Sequence, residues 1–260
     1  MILDMHFNQL EEEGYTVFPA FLDAATTARI RRHIDSLLPP VAPRDDRSAK
    51  RLHTLRHPIP GEIMAEILAN PKLIALAGQL LNANELRLLE QVLIRTDPAN
   101  QEPGARGWHV DMPFFPNHYN ATPRQTYYHM VHALNPVAPH AGAFTIVPGS
   151  HKKTYAATAK LSDEKELKEF QSNVIENAGI DVSEAIEVLP EDGDLLVFNP
   201  MALHSASANT GKQPRYVYFA SFFDASADYL QRRLDEKNVR GHFPDSLRDN
   251  LPSELKLLLE

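Results

Sequence analysis

The chain has 260 residues, 43% of them hydrophobic, a formal net charge of −8 and no cysteine. That length is enough for one large β-rich or α/β domain, or for two small domains, one domain being the simpler reading. The missing thiols exclude disulfides, cysteine-based zinc sites, thiolate nucleophiles and cysteine-held iron–sulfur clusters, so any metal must be held by nitrogen and oxygen. The acidic balance gives a nucleic-acid backbone little to bind, and no window approaches the ~20 apolar residues of a membrane span or has the layout of a signal peptide. Nucleic acid and membrane are therefore not expected partners, and a cytoplasmic setting is the expectation.

In chain order, Gly14–Leu22 (GYTVFPAFL) suits a short strand and turn, and Asp23 is placed to cap a helix running to about Leu38, where Pro39-Pro40 stops it. Residues 41–60 switch to prolines, arginines and His53 and His57, the composition of a basic loop. It is either a solvated surface loop or a flap that meets an anionic substrate. Glu62–Leu81 predicts two helices split at Asn70-Pro71, with apolar residues recurring at helical spacing. After Glu85 come seven strand-like segments between Gly, Pro and Asn breaks: LRLLEQVLIRT, RGWHVDM, RQTYYHMVHAL, GAFTIVPG, EAIEVLP, GDLLVFNP and PRYVYFASFF. These predict an antiparallel sandwich or barrel. A helical interruption at Ser162–Ala178, an amphipathic helix over Ser226–Asn238 and a short one over Leu251–Glu260 complete the layout: one domain, with a mostly helical part over 1–84, a β-rich core over 85–225 and C-terminal helices over 226–260.

Within GWHVD, His109 and Asp111 are two apart, and in a strand residues i and i+2 share a face. The pair suits two ligands of one metal, although His-x-Asp alone is common by chance. His204, just past the apolar strand at Asp194–Phe198, offers a third ligand. Two histidines and a carboxylate on one side of a metal form the open-sided set of non-haem Fe(II) oxygenases, leaving three positions for co-substrate and dioxygen. Arg215, at the start of the next strand, carries a planar fork of donors suited to a carboxylate.

These pieces, GYTVFPAFL followed by a helix, WHVD, GAFTIVPGSHK, GDLLVFNPMALHSASANTG and the arginine beyond, resemble in order and spacing the phytanoyl-CoA dioxygenase-like (PhyH) family of Fe(II)- and 2-oxoglutarate-dependent oxygenases. The resemblance covers most of the chain. It implies a double-stranded β-helix (jelly-roll, cupin-like) core with flanking helices, and iron held by His109, Asp111 and His204. It further implies that Arg215 binds the distal carboxylate of 2-oxoglutarate, with Gln91 as the polar residue near the co-substrate on the preceding strand. The implied activity couples O2 and decarboxylation of 2-oxoglutarate, to succinate and CO2, to hydroxylation of a small molecule; desaturation or ring formation draws on the same oxidant. Val131 stands where the acyl-CoA hydroxylase has a tryptophan, and Arg95 where lysine is frequent, which puts a phytanoyl-CoA substrate in doubt. Asp111 occupies the position that halogenases leave to glycine or alanine, which disfavours halogenation.

Phe114, Phe115, His118 and Tyr119, in the loop after the ligands, are candidates for a substrate lid, or for packing that loop onto the barrel. His129 faces either the substrate pocket or a hydrogen-bonded niche in the core. Trp108 alternates out of phase with the ligands and is expected to pack between sheet and helices. His151 in PGSH belongs to a segment that supports the fold, and turn chemistry accounts for Asp192 and Asp194. A metal enzyme of cupin type that does not use 2-oxoglutarate and a non-catalytic jelly-roll binding module remain as alternatives, and a monomer or homodimer is the expected state.

Overall fold

The computed structural model describes residues 2–40, 52–56, 59–99, 102–111, 115–236 and 243–260. Helix α1 (Ile2–Glu13), strand β1 (Tyr15–Phe18), helix α2 (Ala24–Leu37), strand β2 (Leu52–Arg56) and helices α3 (Glu62–Leu68) and α4 (Pro71–Leu81) precede the long strand β3 (Leu86–Thr96). Then follow β4 (Ala105–His109), α5 (Pro116–Asn120), β5 (Tyr127–Ala133), β6 (Phe144–Ile146), α6 (Ser150–Thr158), α7 (Glu164–Ser172) and α8 (Val174–Ala178). The last elements are β7 (Ile186–Val188), β8 (Leu195–Phe198), β9 (His204–Ser207), β10 (Arg215–Asp224), α9 (Asp228–Glu236) and α10 (Asp245–Asn250).

The helix boundaries follow local chemistry. Asp23 accepts a hydrogen bond from the Thr26 amide at 2.7 Å and caps α2, which then buries Ile30 and Ile34 completely. Full burial of such side chains contributes about 1.5–3 kcal/mol each. Asn70 caps α4 with Pro71 in its first turn, where the missing N–H costs nothing. Asp163 caps α7 by accepting from the Lys165 and Glu166 amides.

The strands pair antiparallel in two sheets, a major one in the order β1-β8-β5-β10-β3-β2 and a minor one in the order β4-β9-β6-β7. Alternation along the strands divides the major sheet cleanly. Val131, Leu196, Phe198 and Val217 pack with Phe144, Ile146 and Val188 of the minor sheet, so the jelly-roll interior lies on this face. Tyr128, Met130, Leu195, Val197, Tyr216, Tyr218, Ala220 and Phe222 turn the other way, into the larger core with α2, α3 and α4. The site lies between this face and the minor sheet, and the helices cover the second face.

Several elements differ from the expectation. β2, inside the stretch assigned to a basic loop, pairs along β3 from Leu52 opposite Thr96 to Arg56 opposite Val92; an edge strand beside so long a partner needs no alternating pattern of its own. The rest of that loop, residues 41–51 and 57–58, lies outside the described residues. α6 covers the residues after PGS, which carry no apolar stripe, and the helix expected over Ser162–Ala178 divides at Asn173. The amphipathic helix α9 spans Asp228–Glu236 within the expected Ser226–Asn238. At the C-terminus the described residues form α10 and a 3-10 helix over Ser253–Leu259.

On the helix-covered face of the major sheet, His132 is fully buried and lies parallel to Tyr218, with ring centroids 5.6 Å apart at 10°. Neither ring nitrogen has a hydrogen-bond partner among the described residues, and burial pushes its pKa down to about 3 from an ordinary 6.5. Below pH 6.5 the unfolded chain takes up a proton that the folded one refuses. His132 therefore leaves stability intact above about 6.5 and erodes it as pH falls toward 3, by up to about 1.4 kcal/mol per pH unit. His132→Phe is expected to flatten the pH dependence of the chemical-denaturation midpoint over this window; an unchanged slope would exclude His132 as its source.

Candidate functional site

β4 and β9 bring His109 and His204 into direct cross-strand register. The register slips between Arg106 and His109, where Gly107 takes φ +74°, a conformation that favours glycine even though a side chain there would meet open space. This bulge turns the Gly107 carbonyl onto the ring of His109, whose Nδ1–H donates to it at 2.8 Å. His204 repeats the arrangement, with Nδ1–H donating to the Ala202 carbonyl at 2.9 Å. A carbonyl can only accept, so the proton is on Nδ1 in both rings and the Nε2 lone pairs are free for a metal.

Asp111 lies just beyond the end of β4, not on the strand itself, so its placement rests on backbone contacts. Its N–H donates to the Pro200 carbonyl at 3.0 Å, while Gln171 of α7 donates through Nε2 to the carbonyls of Val110 and Asp111 at 2.8 and 3.0 Å. The carboxylate thus stands with Oδ1 3.6 Å from His109 Nε2 and Oδ2 3.3 Å from His204 Nε2. Ligand atoms of the three residues all lie within 4.8 Å of one another, and this is the metal-capable cluster among the described residues. Burial would push the Asp111 carboxyl up, but His204, His129 and His109 outweigh it and hold the group well below the usual carboxylate range. Burial lowers His204 to about 4. Both groups are thus in the protonation state that a cation needs. The His204 side chain is 7% exposed and that of His109 51%, so the cluster opens toward solvent on the His109 side.

Arg215 begins β10 on the interior face, buried, with Nη1 donating to the Gly142 carbonyl. No carboxylate pairs with it among the described residues. Burial lowers its pKa to about 10, which still leaves it charged at neutral pH. A buried guanidinium with no carboxylate partner among the described residues is suited to receive an anion.

Gln91 is a correction. It sits opposite Ala220 on β3, out of phase with the interior residues, and donates through Nε2 to the Tyr218 hydroxyl at 2.6 Å within the helix-covered core. Alternation by two decides this: Glu90 faces inward and Gln91 cannot. Arg95 likewise faces outward, paired with Asp35 and Asp97. His129 points inward, with Nε2 2.9 Å from Asp111 Oδ2. Phe115 packs edge-on against His118 at 5.4 Å, and His118 lies 4.1 Å from the ring of Tyr229, so these loop residues form one aromatic cluster with the start of α9. Phe114, and the side chain of Tyr119 on α5, fall outside the described residues. Trp108 packs against the cluster of Val110, Phe170, Val174 and Leu203 behind the ligands. His151 contacts the Glu11 carbonyl through Nε2 at 3.1 Å, tying α6 to α1, and Asp194 accepts from the Ala20 and Glu191 amides.

Three contributors were not anticipated. Gln171 gives no local signal, since its partners are sixty residues away in sequence. Ser221 and Glu90 could have been found by counting in twos from Arg215 and reading the register across β10, which places Ser221 opposite both His129 and Glu90.

A jelly-roll with two ε-presenting histidines, a carboxylate and a buried arginine on its interior face defines an Fe(II)- and 2-oxoglutarate-dependent enzyme. Residues 10–217 match the model of the phytanoyl-CoA dioxygenase (PhyH) family, and the chain belongs to that family. Solved structures similar to this chain include the non-haem α-ketoglutarate-dependent epimerase SnoN from nogalamycin biosynthesis, in complex with Fe3+, α-ketoglutarate and nogalamycin RO, at 22% identity, TM-score 0.65, and coverage of 86% of this chain and 84% of that one. The carbocyclase SnoK of the same biosynthesis matches at 17%, TM-score 0.62, covering 85% and 83%. HygX from Streptomyces hygroscopicus, with nickel and 2-oxoglutarate bound, matches at 19%, TM-score 0.59, covering 85% and 87%. No curated protein matches the chain. Among the described residues, no helix is long and apolar enough to cross a membrane.

The placement of Gln91 has a direct test. Gln91→Leu strands the buried Tyr218 hydroxyl and is expected to lower stability by about 1–3 kcal/mol while leaving the KM for 2-oxoglutarate unchanged. A raised KM in a protein of normal stability would return Gln91 to the co-substrate.

Proposed function

We propose that His109, Asp111 and His204 hold one Fe(II) ion, that Arg215 anchors the distal carboxylate of 2-oxoglutarate, and that the enzyme oxidises a C–H bond of a small molecule with release of succinate and CO2. The observation that carries this reading is the matched pair of Nδ1–carbonyl hydrogen bonds, which fixes both histidines as Nε2 donors beside an ionised carboxylate. Iron bound there supplies the oxidising power drawn from dioxygen and the co-substrate.

The remaining roles belong to the chain. His109, Asp111 and His204 would hold the metal through two imidazole nitrogens and one carboxylate, a donor set that leaves room for the co-substrate and dioxygen. Arg215, already desolvated, meets the incoming carboxylate with a planar pair of N–H groups, so the co-substrate is oriented by the side chain that neutralises it. Phe144 and Phe198, at 5.4 and 4.8 Å from the His204 ring, form an apolar wall that keeps water from one side of the centre. Asp111 provides the carboxylate that argues against halogenation.

Hydroxylation is the reaction we assign, with epimerisation and ring closure as outcomes that share hydrogen removal from carbon. A compact secondary metabolite suits this reading, supported by SnoN with nogalamycin RO and HygX with hygromycin B among the similar structures. A cytoplasmic setting fits a centre that needs ferrous iron and 2-oxoglutarate.

The test measures succinate released with Fe(II), ascorbate, oxygen and a panel of small molecules. Asp111→Ala is expected to abolish succinate formation, and full turnover by that variant would remove the proposed ligand set. Arg215→Ala is expected to raise the KM for 2-oxoglutarate by roughly 30-fold or more while metal affinity changes little; an unchanged KM would dismiss the arginine as anchor.

A further inference from the structure

We infer that His129 is a positioning residue for Asp111: it holds the carboxylate oxygen that the metal does not take, so that Asp111 binds through one oxygen only. The inference rests on the metal site proposed above.

His129 is buried on β5, facing the cluster from the major sheet, with Nε2 2.9 Å from Asp111 Oδ2. Its other nitrogen, Nδ1, lies 2.8 Å from the Ser221 hydroxyl and 3.5 Å from Glu90 Oε1. These contacts follow from register. His129 stands opposite Ser221, and Ser221 opposite Glu90, so the three form one row across β5, β10 and β3. On the other side Phe198 is the cross-strand partner of His129, its ring 4.8 Å away. The imidazole is held from both flanks.

The chemistry separates His129 from the two histidines that face it. Those rings meet a backbone carbonyl at Nδ1, which forces the proton onto Nδ1 and bares Nε2. His129 meets a hydroxyl there, and a hydroxyl can donate. Ser221 donating to Nδ1 leaves the proton of His129 on Nε2, the nitrogen that lies 2.9 Å from Asp111 Oδ2. The same side chain is thus a ligand in one setting and a donor in the other, set by the partner of the second nitrogen.

The consequence concerns coordination. A carboxylate free to pivot can take a metal through both oxygens and fill a position that the co-substrate or dioxygen needs. With Oδ2 held against His129, Asp111 would offer a metal Oδ1 alone, which keeps room at the ion for the co-substrate and dioxygen.

Anaerobic titration with Fe(II), followed by 2-oxoglutarate and its visible charge-transfer absorption, tests the inference on wild type, Asp111→Ala, His129→Leu and His129→Gln, with circular dichroism as the check on folding. His129→Leu is expected to lose 10- to 100-fold in Fe(II) affinity and to weaken or shift the absorption band. The amide of His129→Gln can still donate to Asp111 and is expected to restore most of both. Wild-type affinity and band in a folded His129→Leu protein overturn the inference, as does a His129→Gln protein that folds and is as impaired as His129→Leu. Should His129→Leu fail to fold, Ser221→Ala carries the test: a lower affinity and altered band support the assignment, and no change overturns it. If wild type takes up no Fe(II), or Asp111→Ala binds it as tightly as wild type, the metal site itself falls and the inference with it; a loss confined to Asp111→Ala leaves the site standing and removes only the role of His129.

Discussion

The site depends on one small hydrogen bond used twice: a histidine Nδ1–H donating to the carbonyl two residues before it. In His109 the donor meets Gly107, turned by a bulge, and in His204 it meets Ala202 at the entry to β9. Each bond fixes both the rotation of the ring and the location of its proton. Because the two residues are register partners on neighbouring strands, the sheet then sets how far apart the two lone pairs lie. Rotation, tautomer and spacing come from the backbone, so they persist before any metal arrives. Asp111 is held by the same means, its amide on Pro200 and its carbonyl on Gln171.

The rest of the architecture serves this arrangement by sorting residues to two faces. Along β10, Arg215, Val217, Phe219 and Ser221 turn toward the minor sheet, while Tyr216, Tyr218, Ala220 and Phe222 turn toward the helices. The inward series carries the buried guanidinium of Arg215 at one end and the hydroxyl of the His129 row at the other. The outward series carries bulk. The helices seal that second face, which lets the interior face hold charge within an otherwise apolar layer.

Much of this was legible in the sequence because strands repeat every two residues. His109 and Asp111 lie two apart at the end of one strand, His204 and Arg215 open two others, and the order of the four along the chain matches a known family. The error at Gln91 has the same origin. In LLEQVL both Glu90 and Gln91 are polar, and neither can be assigned to a face without knowing that Ala220, not Ser221, lies opposite Gln91. β9 and β2, four and five residues long, carry too little pattern to declare themselves, and their places come from the neighbours they pair with. Gln171 is invisible for another reason: a side chain bonding a distant backbone carbonyl leaves no trace in local composition.

One asymmetry in the cluster bears on the side from which a metal would be reached. His204 lies deep between neighbouring strands, whereas His109 sits on β4 at the margin of the minor sheet and is half exposed. The ligands therefore form an ordered series. A metal held there would face solvent on the His109 side, with Asp111 and His204 behind it. Chelators and competing ions would therefore reach such a metal from the open edge of the sheet and not through its interior.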